Sequence, residues 1–204
     1  CTKKRGPCSQ SYVREEVLNA QLSDLLSRFV LPQEAAKEML SMADKDGQEA
    51  QSIAAVSVRE LRAAIADLDG KLSRITDLYA EQDIDRDDYL TRKRALMSGK
   101  RSAEGQIALL ERNATAWLQP LRDWILDAQM LNEIAKGDDI PSKKSSLQKI
   151  FGSNLTLQAR EARGAAQNQW TSLVGSPLKN PKKDFVSSCV AKYTFARTYF
   201  TKNC

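Results

Sequence analysis

From Val58 onward the apolar residues Val58, Leu61, Ile65, Leu68, Leu72, Ile75 and Tyr79 follow one another at steps of three and four without a break. Such spacing keeps one stripe of a helix apolar, and the alternation of three and four is that of a heptad seam facing a partner helix. The seam ends at Glu81 to Asp85, and the sequence beyond it reads as a return. Asp85 suits an N-cap, with Ile84 before it and Tyr89 four residues into the next helix, the arrangement of a hydrophobic staple. On the way back Tyr89, Leu96, Ala103, Ile107, Leu110 and Trp117 keep mostly heptad steps, and Lys93 and Lys100 stand where further seam residues are expected. The reading is an antiparallel coiled-coil hairpin over residues 56–118, each arm about 25 residues and so roughly 37 Å long at 1.5 Å per residue.

The segments on either side of this rod are less regular. Residues 1–14 read as the end of a small loop-rich unit, with Gly6 and Pro7 marking a turn between Cys1 and Cys8. Val17, Leu18, Leu22, Leu25, Leu26 and Phe29 recur at helical spacing, so residues 15–55 read as connecting helices: one from Val13 to about Phe29, a second over 33–43 after Pro32, then a break at Asp44 to Gly47. Residues 119–175 are expected to hold a helix from Leu121 to Ile134, a second from Ser142 to Phe151 stopped by Gly152, a short strand at Asn154 to Leu157, and a weakly helical stretch from Arg160 to Trp170. Residues 176–204 form a basic tail whose Tyr193 to Phe200 run leans toward strand. Aromatics are 6% and charged residues 28% of the chain, a balance that favours helical rods over a bulky core. The fold class is mainly α.

The net charge of +5 is unevenly spread. Lys3, Lys4, Arg5 and Arg14 put four positive charges at the front, the tail after residue 175 carries a net five, and the stretch between them is therefore −4. Basic ends suit a polyanion such as DNA, although lysine-rich ends also serve solubility alone. No apolar run approaches the roughly 18 residues that cross a bilayer, and no charged-then-apolar stretch reads as a secretory signal. A cytoplasmic protein without a membrane partner is expected, and the chain, opening on Cys1, is read as a fragment of a longer protein.

Histidine is absent, which removes Ser-His-Asp and Cys-His nucleophile pairs and most imidazole general-base schemes. No phosphate-cradling glycine loop is present. An enzyme in its own right is therefore not expected. Asp83, Asp85, Asp87 and Asp88 form the densest acidic cluster; without the glycine and terminal glutamate of a calcium loop, capping at the hairpin tip explains them better than a cation does. Cys1 and Cys8 flank a turn that brings both sulfurs toward one point, as half of a tetrahedral zinc site requires. Cys189 and Cys204 lie far off in a different setting. Tyr12 and Trp117 lie on or beside helical periodicities, where core packing is commoner than base stacking. The acceptor-like triplets at Asn113 and Asn154 are chance-level patterns without a secretory leader.

Taken in order, Cys1-Thr-Lys-Lys-Arg-Gly-Pro-Cys8 followed by Tyr12-Val-Arg-Glu-Glu16 and Leu18 resembles the second half of a recombinase zinc β-ribbon running into its next helix. Leu68-Asp-Gly-Lys-Leu72, Asp77-Leu-Tyr79, Ile84-Asp-Arg-Asp-Asp-Tyr89 and Lys93 resemble the coiled-coil arm of the large serine site-specific DNA recombinases, and Gly152-Ser-Asn-Leu155 resembles the segment after that arm. The resemblance spans roughly residues 1–175. It implies a role in DNA recombination and integration, with double-stranded DNA and other recombinase subunits as partners. It makes Cys1 and Cys8 the last two ligands of a zinc ion whose other ligand pair lies upstream, and Lys3, Lys4, Arg5 and Arg14 DNA contacts. It makes Tyr79, Ile84 and Tyr89 the arm-tip contact with another subunit. The nucleophilic-serine domain of that family has no counterpart in these residues. The alternative from a different class is a stand-alone coiled-coil interaction module with no DNA role.

Overall fold

The structure, a computed structural model, describes residues 12–174 and 184–203. These residues are mainly α and form six helices, α1 (Glu15–Ser27), α2 (Gln33–Ala80), α3 (Arg86–Asn113), α4 (Leu118–Lys136), α5 (Ile140–Phe151) and α6 (Asp184–Asn203), with 3₁₀ turns at Gly152–Asn154 and Asn168–Leu173 and a two-stranded antiparallel ribbon of β1 (Thr156–Gln158) and β2 (Glu161–Arg163). The chain divides into two compact units. One runs up to Ala43 and resumes over Gln119–Asn203; the other is Asp44–Leu118.

The second unit is the hairpin. Val58 and Ile75 are buried on α2, Leu61, Ile65, Leu68 and Leu72 are half-buried, and the residues between them from Arg59 to Arg74 are exposed. On α3 Ala103 is buried and Tyr89, Lys93, Leu96, Lys100, Ile107 and Leu110 are half-buried. The two lysines that interrupt the apolar series therefore do occupy seam positions. Lys100 reconciles its charge with that place by reaching across to Asp69, its Nζ donating to both carboxylate oxygens at 2.6 and 2.8 Å. Arg62 pairs with Glu111 at 3.0 Å nearer the base. The unit begins at Asp44, earlier than residue 56, where the periodicity places it.

The expected break at Asp44 to Gly47 does not occur, because α2 passes through it as one helix of 48 residues. Glycine costs a helix interior roughly 1 kcal/mol relative to alanine, but a Cβ at Gly47 would stand 2.8 Å from Leu118 Cδ2. The glycine is the seat of that side chain, and the helix continues around it. Trp117 is buried as expected, though it lies in the turn after α3 rather than within the helix. Pro120 falls in the first turn of α4, where the missing amide hydrogen is not needed.

The first unit holds a denser core. Leu26, Met39, Leu121, Ile125, Leu147 and Ile150 are each fully buried, and Phe29 meets Phe151 edge-on at 5.4 Å. Trp124 of α4 packs against Trp170 at 5.9 Å and Phe200 at 6.5 Å. Two further expectations fail here. The stretch from Arg160 to Trp170 is not helical: β2 and a 3₁₀ turn occupy it. Ala159 and Arg160 both adopt positive φ, 50° and 68°, as the two-residue turn of a tight hairpin requires, and Gln21 of α1 clamps them by donating to the Arg160 carbonyl and accepting from the Ala162 amide, each at 2.9 Å. The run Tyr193 to Phe200 is helix rather than strand, since Tyr193, Ala196 and Phe200 are its buried residues and lie at helical spacing on the face turned to the tryptophans. Gly152 ends α5 as expected, with φ of 57°, a conformation glycine adopts without strain.

Candidate functional site

The hairpin tip is where the expected contact residues meet. The chain leaves α2 through a helix-ending pair of backbone bonds, Gln82 N–H to Tyr79 O at 3.2 Å and Asp83 N–H to Leu78 O at 2.9 Å. Gln82 sits in the left-handed region with φ of 66°. These bonds satisfy orphan carbonyls in the manner of a Schellman end, here with glutamine where glycine is usual. Two residues later Asp85 caps α3: its carboxylate accepts from the Asp88 amide at 2.8 Å. Asp87 and Asp88 lie in the first turn, where negative charge meets the positive end of the helix. The acidic cluster thus stabilises a helix end, and among the described residues no group of three or more carboxylates and cysteines is placed to hold a metal ion.

The reversal brings Tyr79 and Tyr89 face to face, 4.5 Å between centroids and 11° from parallel, with Lys93 Nζ 5.3 Å over the Tyr89 ring. An aromatic pair of this kind contributes about 0.5–1.5 kcal/mol beyond its buried area, and an exposed cation over a ring about 0.5–1. Hydrogen bonding to Lys93, and then to Thr76, lowers the pKa of the Tyr89 phenol below its ordinary value of 10.0. Tyr79 retains 39% of its surface and Leu78 beside it 38%, so the outer side of the stack remains open. Ile84 is half-buried within the turn. By spacing alone Lys93 reads as an interruption of the seam; its place over a ring emerges once the reversal is drawn in space.

Of the expected DNA-contacting residues, Arg14 is exposed at the N-cap of α1, its backbone extended and its carbonyl accepting from Leu18 N–H at 3.1 Å. Cys1, Lys3, Lys4, Arg5 and Cys8 lie outside the described residues, as do Cys204 and the side chain of Cys189.

In the first unit a cleft between α1 and the β-ribbon is walled by Gln21, Asp24, Arg28, Glu161 and Arg163. Its charges are already matched, Arg28 to Asp24 at 2.6 Å and Arg163 to Glu161 at 2.5 Å. Sequence reasoning passes over Lys143, which is 1% exposed. Its ammonium donates to Asn19 Oδ1 and Ser23 Oγ, each at 2.7 Å, and so ties α5 to α1. The displaced pKa values on the hairpin have plain causes: Asp67 is lowered by its bond with Lys71, and Lys100 is raised by its bond with Asp69. Each is an ion pair on a rod rather than the convergence of groups that acid–base chemistry uses.

Fold and tip together define a mainly α protein that presents an antiparallel helical hairpin with an aromatic, acid-capped end. Compared with known proteins, the chain matches no family model, no curated protein and no solved structure. Among the described residues no helix is long and apolar enough to cross a membrane.

Proposed function

We propose that this chain is the DNA-binding and subunit-contact part of a large serine site-specific recombinase, acting in DNA recombination and integration without catalysing strand exchange itself. The observation that supports it best is the hairpin tip. The residues that resemble the recombinase arm, Tyr79, Ile84, Asp85, Tyr89 and Lys93, come together there as a capped turn and a stacked pair rather than scattering along a helix. In this reading the tip meets another recombinase subunit. Lys3, Lys4, Arg5 and Arg14 contact the phosphates of double-stranded DNA, the sequence-independent source of affinity. Cys1 and Cys8 bind Zn2+ only when an upstream ligand pair completes the tetrahedron, and a reducing cytoplasm keeps both as thiols.

The test is duplex-DNA affinity of the purified chain across a salt series, with zinc stoichiometry measured alongside. Affinity should fall steeply with salt. Replacing Lys3, Lys4 and Arg5 together by alanine should flatten the log–log slope by up to about 3, close to 0.9 for each phosphate that is no longer neutralised. A chain that shows no salt-dependent DNA binding leaves the second reading, a stand-alone interaction module, which the exposed apolar residues on the hairpin favour.

A further inference from the structure

The hairpin carries an apolar groove that its own seam leaves open. Between Glu49 and Arg59 helix α2 has no charged residue, and neither has α3 between Glu104 and Glu111. Ala50, Ile53, Ala54 and Ser57 of the α2 stretch, with Leu109, Leu110, Asn113 and Ala114 on the other arm, line a groove of about 470 Å³. Ile53 and Leu109 stand at its walls with 60% and 52% of their surfaces exposed. Two large aliphatic side chains standing out around small ones make a patch with both knobs and a hollow, and a twofold contact requires a patch that fits itself.

The charges bordering the groove choose the arrangement. At three-, four- and seven-residue spacing from Ile53 the charged residues are Asp46, Glu49 and Glu60; from Leu109 at the same spacing the charged residue is Arg112. Those are the positions that share a helix face. The α2 wall is therefore acidic and the α3 wall basic. Glu49, Glu60 and Arg112 have no ion-pair partner among the described residues, whereas Arg62 and Glu111, on the opposite side of the hairpin, are paired with each other. A twofold axis along the hairpin sets α2 of one copy against α3 of the other and brings acid to base. An axis across it would lay α2 on α2 and acid on acid. A foreign basic helix that suited the α2 wall would meet Arg112 on the other.

We propose that this groove is the contact through which two copies of the chain pair as a four-helix assembly, α2 of each against α3 of its partner. The inference uses the hairpin alone and does not rest on the DNA reading.

It is tested by the mass of the full chain in sedimentation equilibrium over a concentration series without DNA, helicity being checked by circular dichroism. The wild-type chain should approach twice the monomer mass. Ile53→Asp with Leu109→Asp should weaken pairing by at least roughly a hundredfold, the loss of two central anchors in each copy. Glu49→Lys with Glu60→Lys, or Arg112→Glu alone, should each weaken it roughly fivefold, and the triple variant should regain wild-type pairing. That regain does not depend on the aspartate variant folding. Mixing the lysine variant with the glutamate variant should yield a mixed pair. A chain that stays monomeric throughout overturns the proposal. So does a pair that survives both aspartates, or one that is lost on Tyr79→Ser but kept in the groove variants, because association would then run through the tip.

Discussion

The hairpin and the helical unit around α4 are stabilised in opposite ways. Along the hairpin most seam residues are only half-buried, and the two arms are tied by repeated small contacts: a stacked tyrosine pair, a lysine on a carboxylate, an arginine on a glutamate. In the other unit residues from α1, α2, α4, α5 and α6 converge, and side chains such as Leu121, Ile125, Leu147 and Ile150 have no exposure left. A rod two helices thick has no interior in which a side chain can be wholly enclosed, so each contribution is small and any one is dispensable. A core built from separated segments concentrates its energy in few side chains, and a cavity in it has nothing to fill it.

That contrast can be broken most directly by truncating one apolar side chain in each unit. Leu121→Ala should cost about 2–5 kcal/mol, the range for removing an enclosed leucine, whereas Ile65→Ala on the half-buried seam should cost about half of that or less. Chemical denaturation of the two variants, with amide exchange to locate the loss, checks it; equal costs would mean that the hairpin is as tightly packed as the core.

A smaller effect sharpens the picture at the tip, where end structure rather than burial sets the turn. Asp85→Ala removes the cap bond to the Asp88 amide and should cost about 1 kcal/mol. Gln82→Gly relieves a side chain held at φ of 66° and should raise stability by roughly 0.5–1 kcal/mol. Melting temperatures that move the same way in both variants would sink this account of the turn.

The least change is expected in the titration of the tip. Because the pKa of Tyr89 is lowered by Lys93, tyrosinate absorbance should show one phenol ionising below the ordinary range, and Lys93→Met should move it up. The linkage has a definite sign. A pKa lower in the folded than in the unfolded chain means that the tip gains relative stability as pH rises through the interval between the two, while the raised pKa of Lys100 means that its bond to Asp69 is lost as pH climbs past the lysine range. A Tyr89 titration unmoved by Lys93→Met would show that Lys93 does not hydrogen-bond the phenol.

How much of the molecule is legible in its sequence follows the same division. The seam from Val58 to Tyr79, its continuation through Lys93 and Lys100, and the cap at Asp85 can all be read from spacing, because each is settled by residues three, four or seven positions apart. Nothing local announces that Gly47 lies under Leu118, so a glycine among polar residues reads as a break when it is a packing seat. The turn at Ala159 and Arg160 carries none of the usual turn residues; a side chain 139 residues earlier, Gln21, bonds to it. Tyr193 to Phe200 has the aromatic and β-branched content of a strand, and packing on Trp124 and Trp170 favours it as a helix.

By itself, then, the sequence determined the rod: a heptad repeat, its reversal and its capped end are short-range properties that the chain carries wherever it is placed. Tertiary structure decided the helix through Gly47, the ribbon at β1 and β2, the helical state of α6, the burial of Lys143 against Asn19 and Ser23, and the open groove between Ile53 and Leu109. Each depends on which distant surfaces meet, and the free energy of burying apolar area and satisfying polar groups between segments outweighs the preference of about 1 kcal/mol or less per residue that local propensity expresses.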